Sequence, residues 1–277
     1  MSVADAIGEG RIGGRLWLYA NYHCNLRCSY CLTESAPGVD RRLLSPEAML
    51  RRAGEARELG FTALGVTGGE PFLLDWMPEL IAELARILPV IVLSNGTLFT
   101  GRRLVALEPL GQLPVRIQIS LDRPEPEVND EMRGPENFAK VVAAIPRLVE
   151  RGIRVRVATT LADPSTYDPA ERERLCALHR ALGVGDEDHV VRPIVRRGRA
   201  QSGDLGVAAG FAELEPELTL TADGAFASPF GPTVHGGRLD TDLLVTRTTA
   251  PLSVPAGTLA RLTGSTSAGR DARLGIR

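Results

Sequence analysis

The chain has 277 residues, 44% hydrophobic and 24% charged, with a formal net charge of −2. That balance fits a globular protein of one large domain, or one domain with a small appendage. A nearly neutral chain offers no general attraction to nucleic acid or anionic lipid, and apolar runs such as 90–93 are far too short to cross a membrane, so no nucleic-acid or membrane partner is expected.

In chain order, MSVADAIGEGRIGG has acids and glycines where a signal peptide has a basic start and an apolar stretch, so a cytoplasmic location is expected. LWLYA (16–20) reads as a strand that runs into CNLRCSYC (24–31). SPEAMLRRAGEARELG follows as a helix, with Ser45 as N-cap, Pro46 in the first turn, Gly60 at the end, and Met49, Ala53 and Ala56 on one face. TALGVT (62–67) is a short strand entering GGEP (68–71). Next come a helix over roughly 76–87, the strand VIVLS (90–94), a short helix in RRLVALEPL and the alternating strand VRIQISL (115–121). NFAKVVAAIPRLVERG is a helix ending at Gly152, IRVRVATTL (153–161) a strand, ERERLCALHRALG a helix, and HVVRPIV (189–195) a sixth strand. Strands alternating with helices predict βαβ units and a parallel sheet with helices outside. Residues 201–263 are richer in Gly, Thr and Pro, and LTLTADGAF predicts a hairpin turning at Asp223-Gly224. The last stretch, 264–277, is expected to be disordered.

Four unusual segments each follow a predicted strand: CNLRCSYC, GGEP, SNGT (94–97) and SLD (120–122). In parallel α/β folds such loops gather on one face, where active sites sit. Three of the four cysteines, Cys24, Cys28 and Cys31, fall within eight residues, as if to bring three thiolates to one point. C-x3-C-x2-C can bind three irons of a [4Fe–4S] cubane and leave the fourth open. The other readings are a zinc site with His23 as fourth ligand, or a chance group of buried thiols. A disulfide framework does not fit a reducing interior. A GG pair is often a plain turn, Asn95-Gly96 is a good turn, Asp122 can cap a helix, and Tyr30 can be a core aromatic.

The ordered set of CNLRCSYC, GGEP, SNGT and SLD resembles the radical S-adenosylmethionine (radical SAM) superfamily over residues 15–200. It is closest in style to members that modify peptides or proteins, or that build cofactors. The resemblance implies an α/β fold, a partial (β/α)6 TIM-like barrel; the composition of 201–263 and its predicted hairpin make that stretch a small β-containing C-terminal extension or cap. The resemblance also implies a [4Fe–4S] cluster on Cys24, Cys28 and Cys31, and Tyr30 near the adenine of S-adenosylmethionine. Gly68, Gly69 and Glu70 would receive the methionine ammonium. Ser94, Asn95, Ser120 and Asp122 would lie near the methionine carboxylate and the ribose, and Val191 and Arg192 would edge the adenine or the substrate. The implied reaction is reductive cleavage to methionine and a 5′-deoxyadenosyl radical, which takes hydrogen from a peptide, a protein side chain or a small-molecule cofactor precursor. An external low-potential donor, a flavodoxin or ferredoxin, is implied as well.

The chain departs from many peptide-modifying relatives in having no cysteine after Cys176, with Ala227 and Ser228 where an auxiliary-cluster ligand is expected. A single cluster follows from that count. Cys176 reads as a small core residue or, as in some relatives, a hydrogen-atom donor, and His179, His189 and His235 read as isolated. The alternatives from other classes are a non-catalytic zinc- or iron–sulfur-binding module or sensor, and an electron-transfer protein.

Overall fold

The computed structural model describes residues 2–163, 167–265 and 274–276. Its elements in order are α1 (Val3–Gly8), β1 (Arg15–Tyr19), α2 (Pro46–Glu58), β2 (Ala63–Thr67), α3 (Met77–Ala85), β3 (Val90–Ser94), α4 (Gly101–Ala106), β4 (Val115–Ser120), α5 (Pro126–Arg133), α6 (Asn137–Val149), β5 (Arg154–Leu161), α7 (Pro169–Ala181) and β6 (His189–Pro193). The extension adds α8 (Arg199–Ser202), β7 (Thr219–Thr221), β8 (Gly224–Phe226), the ribbon β9 (Val234–His235) and β10 (Arg238–Leu239), β11 (Leu244–Thr246) and α9 (Ser253–Leu262).

Strands β1 to β6 lie side by side in sequence order and all pair in parallel. Period-2 alternation sorts their side chains. Leu16, Leu18, Leu64, Val66, Val92, Ile117, Ile119 and Val157 join the large core, where they meet Met49, Ala53 and Ala56 of α2 and Val141, Ile145 and Leu148 of α6. Trp17 and Ile91 face the other way and pack with Phe226, Phe230 and Leu243 in a second cluster. The helices thus cover one face of the sheet, and its other face lines the interior of a partial barrel. The sheet does not close; β11 and β6 are its edges.

The Ser45 cap on Ala48 N, the buried face of α2 and the hairpin between β7 and β8 are as expected. Two expectations change. The extension mainly widens the sheet: β7 pairs in parallel with β1 (Trp17↔Thr219, Leu18↔Leu220), and β11 pairs with β8. Only Pro229 and Phe230 of residues 201–263 reach the mouth of the barrel. The tail is not disordered where it is described, because Leu274 bridges to Leu214 and Ile276 is buried in the inner cluster. The rest of that expectation, 266–273 and 277, lies outside the described residues. No helix among the described residues is long and apolar enough to cross a membrane.

Candidate active site

The C-terminal end of β1 releases the chain into a long irregular loop that carries the cysteines. Cys24, Cys28 and Cys31 line a cavity of about 170 Å³. Tyr30 lines it too, with Gly68 and Gly69 after β2, Ser94 and Asn95 at the end of β3, Ser120 at the end of β4 and Arg192 on β6. Phe230 and Ile276 complete the wall. Of the residues expected there, Glu70, Asp122 and Val191 do not line it.

The thiols do not meet at one point, as the sequence reading expected. No three His, Cys, Asp or Glu side chains among the described residues are placed to hold a metal ion. The three thiols line the wall of one cavity, and a cubane, whose irons sit at separate corners, needs no single point shared by all three. His23, the extra ligand of the zinc reading, lies outside the lining, and its Nδ1 accepts from Asn21 Nδ2 at 3.1 Å. Cys24 Sγ accepts from Leu26 N (3.4 Å) and Asn95 Nδ2 (3.5 Å), contacts that stabilise a thiolate. Burial, then the Glu70 charge, pushes the Cys24 thiol up to about 12, and burial also raises Cys28. Such thiols hold their protons until a cationic metal displaces them. The donor set, the cavity and the N–H groups aimed at sulfur fit an iron–sulfur cluster.

The loop is clamped from several sides. Arg199 donates to Cys28 O (2.5 Å) and Ser35 O (3.0 Å), and its main-chain N donates to Cys31 O (2.9 Å). Ser29 N donates to Met132 O at 2.9 Å. The GGE segment joins the loop directly: Gly69 N donates to Asn21 O (2.9 Å), Glu70 N to His23 O (3.0 Å), and Asn21 Nδ2 to Glu70 O (3.1 Å). Both glycines are needed for this approach. Gly68 sits at φ +150°, and a Cβ on Gly69 would stand 2.1 Å from His23 O.

Glu70 has a different role from the one expected. Its fully buried carboxylate accepts from Phe72 N (3.1 Å), Ser94 Oγ (3.0 Å) and Asn95 N (2.7 Å), so it fastens the loop after β2 to the loop after β3. Burial pushes it up to about 7 against these three donors. Asn95, fixed in this way, hands its amide to Cys24 Sγ and to Asn25 Oδ1 (2.9 Å).

Asp122 is also fully buried behind the cavity wall. Its Oδ2 accepts from Tyr30 Oη (2.5 Å) and Arg133 Nη1 (3.1 Å), and its Oδ1 from Thr160 N (2.8 Å). Arg133 donates to Tyr30 Oη as well. Tyr30 is therefore locked between a carboxylate and a guanidinium. Arg133 lines the cavity and its buried Nε has no partner among the described residues.

Sequence reasoning missed Arg133, Arg199 and Asn21. The one available signal was that MRG directly follows the SLD segment by a helix length; Arg199 and Asn21 carry no motif. The histidines read as isolated are not. His189 accepts from Cys176 Sγ at Nδ1 (3.5 Å), contacts Thr159 Oγ1 (3.0 Å) and stacks edge-on with His179 at 4.5 Å, while His235 lies 3.4 Å from Glu34.

Residues 19–177 match the family model described as the Radical SAM superfamily. A GTP 3′,8-cyclase of Syntrophomonas wolfei is 37% identical over 179 residues, 59% of this chain and 53% of that protein. The antilisterial bacteriocin subtilosin biosynthesis protein AlbA of Bacillus subtilis is 32% identical over 149 residues, 53% of this chain and 33% of that one. The chain spans about half or less of the length of these curated relatives. Among solved structures, anSMEcpe with bound AdoMet has a TM-score of 0.61 at 13% identity, covering 91% of this chain and 77% of that one. Streptococcus suis SuiB bound to S-adenosylmethionine has a TM-score of 0.57 at 16% identity, covering 69% and 43%. These last two likenesses show the fold, a TIM-like partial barrel.

Proposed function

The chain belongs to the radical SAM superfamily, and on that premise we propose that Cys24, Cys28 and Cys31 hold its [4Fe–4S] cluster and that the shared cavity seats S-adenosylmethionine. Bound together, the two cofactors supply a one-electron cleavage to methionine and a 5′-deoxyadenosyl radical, which takes hydrogen from an unactivated C–H bond.

The chain's own groups bind, orient and shield. Tyr30, held by Asp122 and Arg133, presents a fixed ring to the adenine. The main-chain oxygens of Gly68 and Gly69 have no donor among the described residues, and they take the methionine ammonium in place of the occupied Glu70 carboxylate. Arg133, with its unpaired Nε, and Arg192, which has no hydrogen bond or ion pair among the described residues, offer guanidinium groups to the methionine carboxylate. Ser120 faces the ribose. Phe230 and Ile276 exclude water from the cavity. The electron comes from an external flavodoxin or ferredoxin.

The substrate reading favoured is a peptide or protein side chain. It is supported by AlbA, named for a bacteriocin's biosynthesis, and by anSMEcpe with AdoMet and a bound peptide, whose fold covers 91% of this chain. A small cofactor precursor is the second reading, favoured by the 37% identity to GTP 3′,8-cyclase.

The observation that carries the proposal is the meeting of three thiols and four strand-end segments in one cavity. The anaerobically reconstituted protein, reduced with dithionite, is expected to release methionine and 5′-deoxyadenosine. A Cys28→Ala variant should lose cluster iron and both products; full iron content with unchanged turnover in that variant would sink the ligand assignment.

A further inference from the structure

The opposite end of the sheet holds a second cavity, of about 230 Å³, at the N-terminal ends of β1 to β5. It shares no lining residue with the cavity of the cysteines. Four arginines line it: Arg15, Arg116, Arg154 and Arg156. Strand alternation puts them there, since Val155 and Val157 beside them on β5 face the helices.

The charges in this cavity do not balance. Asp188 serves two of the arginines at long range, 3.6 Å from Arg116 and 4.0 Å from Arg154. Glu217 lies 3.5 Å from Arg15, and burial pushes it up to about 7, so it is only partly ionised at neutral pH. Arg156 has no acceptor at all among the described residues. It is 8% exposed, and its Nε and Nη2 are buried without a partner. Arg15 Nε is buried and unpartnered too. Burial and the neighbouring Arg116, Arg15 and Arg192 lower Arg156 to about 10, which leaves it protonated at neutral pH. An unpaired buried cation is costly, and a guanidinium fork is shaped for oxyanions.

We propose that this cavity is a binding site for a small oxyanion, a phosphate- or carboxylate-bearing molecule, with Arg156 as its central ligand and Arg15, Arg116 and Arg154 around it. The site is separate from the radical chemistry at the other end of the strands. A bound anion would complete the hydrogen bonding of Arg156 and neutralise the excess charge inside the sheet.

The test is a calorimetric titration of the cofactor-loaded protein, kept anaerobic, with inorganic phosphate, pyrophosphate and citrate in an anion-poor buffer. At least one should bind and raise the unfolding temperature. A preference for the first two assigns phosphate chemistry, and a preference for citrate assigns carboxylate chemistry. Arg156→Gln is expected to weaken that binding at least about tenfold, the loss of one or more charge-assisted hydrogen bonds, while S-adenosylmethionine affinity stays unchanged. Should Arg156→Gln not fold, the more exposed Arg154→Gln is expected to weaken binding in the same direction. No binding of any of the three anions, or equal binding by the variant that folds, overturns the proposal.

Discussion

Replacing Asp122 with asparagine removes the anion from a pair in which the arginine side chain is 5% exposed and the aspartate 0%. The variant amide has one oxygen where the carboxylate has two. If that oxygen stays with Tyr30 and Arg133, the new NH₂ faces Thr160 N, which now sits 2.8 Å from Oδ1. One buried main-chain donor is left unmatched, at about 1–3 kcal/mol. The charge of Arg133 also loses its counterion, and breaking a buried pair from one side costs about 3–5 kcal/mol in total. With a urea dependence of about 3 kcal/mol/M, the unfolding midpoint should fall by roughly 1–1.7 M. Arg133→Met should be destabilising as well. The double variant carries neither charge, so its loss should fall short of the sum of the single losses by about 2 kcal/mol or more. Urea unfolding of the four proteins without cofactors, under anaerobic conditions, measures all of this. A midpoint shift below about 0.3 M for Asp122→Asn, or strictly additive losses, would refute the claim that this pair is dry and that it locks Tyr30 beside the cluster loop.

Gly69→Ala puts a Cβ 2.1 Å from His23 O, a main-chain atom that cannot swing aside; it should cost at least about 1–3 kcal/mol and displace the cysteine loop, read as lost iron after reconstitution. Asn95→Ala deletes a donor to Cys24 Sγ; removing about one hydrogen bond should lower the cluster's midpoint potential by about 20–60 mV, measured by a redox titration followed by electron paramagnetic resonance. Glu217→Gln keeps an acceptor for Trp17 Nε1 but removes a carboxyl raised from 4.5 to about 7 chiefly by burial. The folded state holds that proton more tightly than the unfolded one, so its stabilisation is present below pH 4.5 and is lost as pH rises through about 7. Between those limits the parent should lose about 3 kcal/mol relative to the variant, and parallel pH profiles in urea would contradict this.

The six parallel strands were legible because each is a short run rich in apolar residues lying between helical patterns; β2 runs into Gly68, and β3 and β4 end at Ser94 and Ser120. The gathering of Cys24, Gly68, Asn95 and Ser120 followed from their shared position at strand ends. A carboxylate after two glycines advertises a cation partner, whereas the three donors that Glu70 accepts from in the fold come from main chain and a serine that no sequence pattern marks. Arg133 was invisible for a related reason. It ends α5, whose PEVNDEMR has too few apolar residues to announce a helix, and its partners Tyr30 and Asp122 come from two other loops. Helix α9 was missed because Pro255 and Gly257 interrupt its pattern, though Leu252, Ala256 and Leu259 bury it in the main core. The pairing of β7 with β1 is non-local and only two residue pairs long, beyond any local propensity.

That pairing sets an order of events during synthesis. β1 emerges early, yet one of its two hydrogen-bonding margins stays open until Thr219 and Leu220 arrive. A ribosome-bound chain that stops short of this point presents a bare, largely apolar ribbon, RLWLY, to any other nascent strand. The cysteine loop hangs directly from that ribbon. Iron loading should therefore follow the arrival of β7, and fragments ending before residue 219 should aggregate and take up little iron.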